Sequence, residues 1–74
     1  MFERVKKIIA KQLGIGEEEI EQGTTFEDLG IDSLEIFEVI MALEDEFDIE
    51  IPNEDVESIK NIADITNYIQ SKVE

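Results

Sequence analysis

The chain has 74 residues, 20 of them acidic and 6 basic, for a net charge of −14 at neutral pH. It contains no cysteine and no histidine, which excludes disulfides and thiolate catalysis and removes the commonest general base and metal ligand. A chain this short supports one small domain, residues 1–74, and cannot enclose a large catalytic cleft.

Hydrophobic residues make up 42% of the chain and recur at regular spacing, which argues for a folded domain rather than disorder. The acidity repels nucleic acid and anionic membranes and favours partners that present Lys and Arg. No apolar run approaches a membrane span, and the start, MFERVKKIIA, lacks the apolar core and cleavage site of a secretory signal. A cytoplasmic location without membrane insertion is expected.

The first helix is predicted over Phe2 to Leu13, where Phe2, Val5, Ile8, Ile9 and Leu13 share one face and Gly14 supplies a stop. Arg4, Lys6, Lys7 and Lys11 crowd this helix, and from Gln12 to Ile59 there is no basic residue. An acidic loop follows from Gly16 to Leu29, anchored by Ile15, Ile20, Phe26 and Leu29, with a short helical turn at Glu17 to Glu21. Gly30 turns the chain at little conformational cost. Either Asp32 or Ser33 then caps a second helix running from about Ser33 to Phe47.

That second helix carries two apolar stripes. Ile36, Val39, Ile40, Leu43 and Phe47 form the broad face that a core requires. Leu34, Phe37 and Met41 form another, with Glu38 and Asp45 on one side and Glu44 and Asp48 on the other. Cover by the preceding loop and exposure are both open for Leu34. Phe37 and Met41 are expected to be exposed as a partner-binding patch, since apolar anchors with a charged rim have the anatomy of an interface.

Asp48 to Pro52 breaks the helix. Pro52 and Asn53 read as the cap of a short third helix, from about Asn53 to Val56 or Ser58. Asn61, with Asp64 three residues later, caps a fourth helix whose buried stripe is Ile62, Ile65, Ile69 and Val73, flanked by Tyr68. No strand or repeat is visible. The expected fold is all-α: a small four-helix bundle of three longer helices and one short one.

Enzymatic chemistry finds no support. Ser33 has no histidine to activate it, and the carboxylates suggest no cleft between them. A calcium loop begun at Glu44 would put Ile49 at the glycine position and Pro52 at a ligand position, so it fails and no specific metal site is expected. What remains is a serine hydroxyl at a helix N-terminus, where free N–H groups and the helix dipole favour a phosphate.

The stretch DLGIDSLEIFEVIMALEDEFDIEIP resembles the acyl carrier proteins of fatty acid synthesis, and VKKII near the start and IADITNYI near the end fit the same outline. The resemblance implies that Ser33, flanked by Asp32, carries 4′-phosphopantetheine from coenzyme A, whose thiol holds acyl groups as thioesters. It implies a recognition helix in which Leu34, Glu35, Phe37, Glu38, Met41, Glu44 and Asp45 meet basic patches on enzymes. Those partners would be a phosphopantetheinyl transferase and the acyl-transferring and chain-elongating enzymes. The family also shelters acyl chains between its helices, and Leu43, Phe47, Ile51, Ile59 and Ile62 are the candidate lining. The implied protein is a monomeric carrier and not an enzyme. A specialised carrier for polyketide, aminoacyl or D-alanyl units, and an acidic helical adaptor, are the other readings.

Overall fold

The computed structural model describes residues 1–74. Four helices follow one another: α1 over Phe2–Leu13, α2 over Ser33–Phe47, α3 over Asn53–Ser58 and α4 over Ile62–Val73. The acidic loop carries one 3-10 turn at Glu17–Glu19, and the only β feature is an isolated bridge between Thr25 and Asn61. The expected all-α bundle of three longer helices and one short helix is what forms.

The core is a single layer of aliphatic side chains. Val5 and Ile9 of α1, Val39 and Leu43 of α2, and Ile62, Ile65 and Ile69 of α4 are fully buried. Ala10 of α1, Ile40 of α2, Ile20 and Phe26 from the long loop, and Ile51 and Ile59 from either side of α3 complete it. Of the face expected on α2, Ile36 and Phe47 lie at the edge, half-buried. Val73 departs from expectation. Helical periodicity puts it on the buried stripe, but in the last turn of α4 it remains 45% exposed. Burial needs a neighbour opposite as well as the right face, and a terminal turn has fewer of them.

The caps set the boundaries. Gly14 ends α1 in the left-handed conformation (φ 72°), its N–H donating to the Ala10 carbonyl. The Asn61 side chain accepts from the Asp64 N–H at 2.9 Å, and Asp64 in turn accepts from the Lys60 N–H at 3.0 Å. α3 runs from Asn53 to Ser58, as expected, and only the manner of its capping differs. Pro52 is the capping residue, Asn53 is already helical, and no side chain caps the start. The extended backbone of Pro52 places its carbonyl to accept from the Asp55 and Val56 N–H groups, so the side-chain cap is dispensable.

The long loop is pinned rather than loose. The N–H groups of Ile62 and Ala63, free donors at the start of α4, donate to the carbonyls of Thr24 (2.9 Å) and Gln22 (2.8 Å). Thr25 and Asp28 brace each other, each side chain accepting from the other's N–H. Phe26 drives into the core between these bonds. The loop therefore fixes where Gly30 (φ 69°) turns the chain into α2.

The two stripes of α2 should separate in a stability measurement. Leu43→Ala is expected to lower the unfolding free energy by about 2–5 kcal/mol, the range for emptying a fully buried site. Leu34→Ala should change it by less than about 0.5 kcal/mol, as at an exposed position. Denaturant titration of both variants checks this.

Candidate functional site

Ser33 is the first residue of α2 and is exposed. Of the two candidate caps, Asp32 serves: its side chain accepts from the Glu35 N–H at 2.9 Å, and its carbonyl accepts from the Ile36 N–H at 3.0 Å. The N–H groups of Ser33 and Leu34 have no partner within the chain. The serine hydroxyl thus stands beside two free donors at the positive end of a four-turn helix. The Thr25–Asp28 brace and the Gly30 turn hold this junction in place from the N-terminal side.

Next to the serine, α2 presents its second stripe. Leu34 is 66% exposed, Phe37 53% and Met41 47%. The loop does not cover Leu34, which answers the question its sequence position left open. Glu35, Glu38 and Asp45 are exposed around this stripe and none has a basic partner, since ion pairs form only between Arg4 and Glu46 and between Lys6 and Glu3. Arg4 also lies over the Phe47 ring, 4.7 Å from its centre. Glu44 differs from its neighbours. It is half-buried, and its carboxylate accepts from the Ile51 N–H at 2.7 Å, which ties the end of the α2–α3 loop to α2.

A half-open cavity of about 610 Å³ begins at Ser33 and runs between α2 and α3. Its walls include Ile36, Phe37, Ile40 and Glu44 from α2 and Ile51, Pro52, Asn53 and Val56 from the opposite side. Its volume lies in the range of about 300–1,000 Å³ typical of small-molecule sites. Of the five residues expected to line a shelter, the structure brings only Ile51 to this cavity. Leu43, Ile59 and Ile62 are packed in the closed core, and Phe47 is half-buried beneath Arg4. Ile36 and Ile40 were readable as wall residues, because they follow Ser33 at i+3 and i+7 and so share its face. The contribution of α3 depends on how the loop folds back, which no local pattern states.

Behind the cavity, the Tyr68 hydroxyl donates to the Asp55 carboxylate at 2.6 Å, joining α4 to α3. The hydrogen bond to Asp55, with burial and the nearby charges of Asp55 and Glu44, pushes the Tyr68 phenol up to about 12 from 10.0. The folded chain holds this proton more tightly than the unfolded chain. Its stabilising effect is therefore complete below pH 10 and is lost as pH rises through about 12. Tyr68 is the single tyrosine, so tyrosinate absorbance reads it alone. Its midpoint should lie near pH 12 in the native chain and fall toward 10 in Asp55→Ala.

Residues 3–69 match the protein family described as the phosphopantetheine attachment site. The acyl carrier protein of Clostridium acetobutylicum is 53% identical over an alignment that covers all of this chain and 97% of the relative. The acyl carrier protein of Clostridium perfringens is 49% identical, with 100% and 99% covered. An exposed serine at a helix N-terminus, an acid-rimmed apolar stripe and an end-to-end match with these relatives lead to one conclusion: the chain belongs to the acyl carrier proteins, the phosphopantetheine-bearing carriers of acyl groups.

Proposed function

We propose that Ser33 is the residue of this chain that takes the 4′-phosphopantetheine arm, and that α2 presents the loaded arm to acyl-handling enzymes of fatty acid synthesis. The single observation that carries this reading is the exposed Ser33 hydroxyl at the start of α2, on the rim of the cavity between α2 and α3.

The residues present fit the arm. The Ser33 oxygen attacks the phosphorus that joins the phosphopantetheine half of coenzyme A to its nucleotide half, and the adenosine bisphosphate leaves. The chain has no histidine to take the hydroxyl proton, and the adjacent Asp32 carboxylate is engaged by the Glu35 N–H, so in this reading the transferase supplies the base. The resulting phosphodiester would sit beside the unpaired Ser33 and Leu34 N–H groups. A helix N-terminus contributes about 0.3–1 kcal/mol to an exposed anion. Asp32 and Glu35 stand next to it with like charge, at a cost of about 1 kcal/mol per contact in water. The two repulsions, together about 2 kcal/mol, outweigh the helix contribution, so the chain holds the attachment point in place without gripping the arm, and a mobile tether follows. When bound, the arm supplies the thiol that a chain without cysteine lacks.

Leu34, Phe37 and Met41 provide apolar anchors for a partner, and Glu35, Glu38 and Asp45 the charges that steer it. Glu44, committed to the Ile51 N–H, serves the cavity wall more than the rim. In this reading the chain is a monomeric, single-domain scaffold and handle, with catalysis left to the partners.

Incubation with a phosphopantetheinyl transferase and coenzyme A is expected to add one phosphopantetheine to the native chain and none to Ser33→Ala. Intact mass reads both, and an unmodified native chain beside a modified control carrier refutes the assignment. For the surface, Glu38→Lys combined with Asp45→Lys should slow association with the transferase by about tenfold or more at low salt, the scale of electrostatic steering. Raising the salt should slow the native chain toward the variant. Stopped-flow rates that ignore both changes would reduce the rim to a solvated surface.

A further inference from the structure

We propose that Tyr68 is a positioning residue for the cavity beside Ser33: its hydroxyl latches α3, and α3 moves as a hinged wall that sets access to the cavity. The proposal rests on the reading that cargo occupies this cavity, while the latch is a property of the unmodified chain.

α3 has few means of holding itself in place. Its six residues are too few for a helix to be stable alone. None of them is buried, and Val56 is the one that packs, half-buried, against the core. The segment is instead a strap fixed at both ends by buried residues, Ile51 before it and Ile59 after it. Such segments open at the low end of a domain's local stability range.

One hydrogen bond joins the body of this strap to another helix, the 2.6 Å bond from the Tyr68 hydroxyl to Asp55. The two partners differ in rigidity. Tyr68 lies on α4 between Ile65 and Ile69, both fully buried, so it is the fixed post and α3 the moving part. The bond also grips α3 from outside. Pro52, Asn53, Val56 and Glu57 line the cavity and Asp55 does not. Release of Asp55 therefore frees the wall without removing any lining side chain. The second tie, from the Ile51 N–H to Glu44, lies at the hinge and stays closed during this motion.

Amide hydrogen exchange on the unmodified chain tests the latch. In Tyr68→Phe the α3 amides should exchange about tenfold faster, the ratio for losing a partly solvated hydrogen bond to an ionised acceptor. The amides of α1 and α2 should keep their rates. Asp55→Asn, which retains an acceptor, should keep most of the protection. Asp55→Ala combined with Tyr68→Phe should add little to either change alone, since both break the same bond. Unchanged α3 rates, or an equal acceleration in all helices, overturns the latch.

Access to the cavity is tested with the arm loaded with octanoyl or acetyl groups and cleaved by hydroxylamine. Tyr68→Phe should speed octanoyl cleavage by the same about tenfold ratio and leave acetyl, too short to be sheltered, unchanged. A change common to both, or none for octanoyl, overturns the role in access. A chain that cannot be loaded on Ser33 counts against the carrier reading, while hydrogen exchange still decides the latch.

Discussion

Burial of Val39, Ile40 and Leu43 fixes the rotation of α2 about its own axis, and the functional geometry follows from that rotation. A helix advances 100° per residue, so a turn of one position would carry the serine away from the cavity rim and bury part of the stripe now in water. The core thus does more than stabilise a small domain. It aims Ser33 and the cavity along one face of the helix and the Leu34–Phe37–Met41 stripe along the next, with Phe37 at their border. Leaving three large apolar side chains exposed is tolerable because the remainder of α2 and α4 is packed well enough to hold the register.

The loop before α2 solves a second problem. Its length would allow many approaches to the helix, and the approach determines where the serine stands. Phe26 in the core, the Thr25–Asp28 brace and the two bonds to the start of α4 remove that freedom. The same bonds satisfy donors that α4 would otherwise leave open. The contrast with α3 is instructive. There the chain is anchored at its ends and left lightly held between them. The loop is tied down where it enters α2, while the body of α3 is joined to another helix by a single hydrogen bond.

Much of this was legible before any coordinates. The limits of α1 and α2, the Asn61 cap and the split between the two faces of α2 all follow from period and capping rules acting within one helix turn. Asp-Ser-Leu after a glycine turn is a weak signal by itself, and it is the resemblance of the whole stretch to the acyl carrier proteins that singles out Ser33. The cavity was less legible. Leu43, Ile59 and Ile62 are as apolar as Ile36 and Ile40, and composition does not tell a closed core from a lined opening. That distinction depends on how far α3 stands from α2, a matter of contacts across the fold such as those of Ile51 with Glu44 and Tyr68 with Asp55. Val73 and the capping of α3 diverged for a similar reason: local pattern gives a face or a stop, and neighbouring elements decide burial and capping.

The acidic flank of α2 has a thermodynamic consequence. Glu35, Glu38 and Asp45 have no resident lysine or arginine to let go of, because the chain's cations pair elsewhere or lie on other segments. Mobile ions from solution crowd such a surface instead. A basic protein settling against it liberates those ions into the bulk, and their gain in entropy drives the encounter much as it does on a polyelectrolyte. No ion pair within the chain has to break before such a contact forms on this flank.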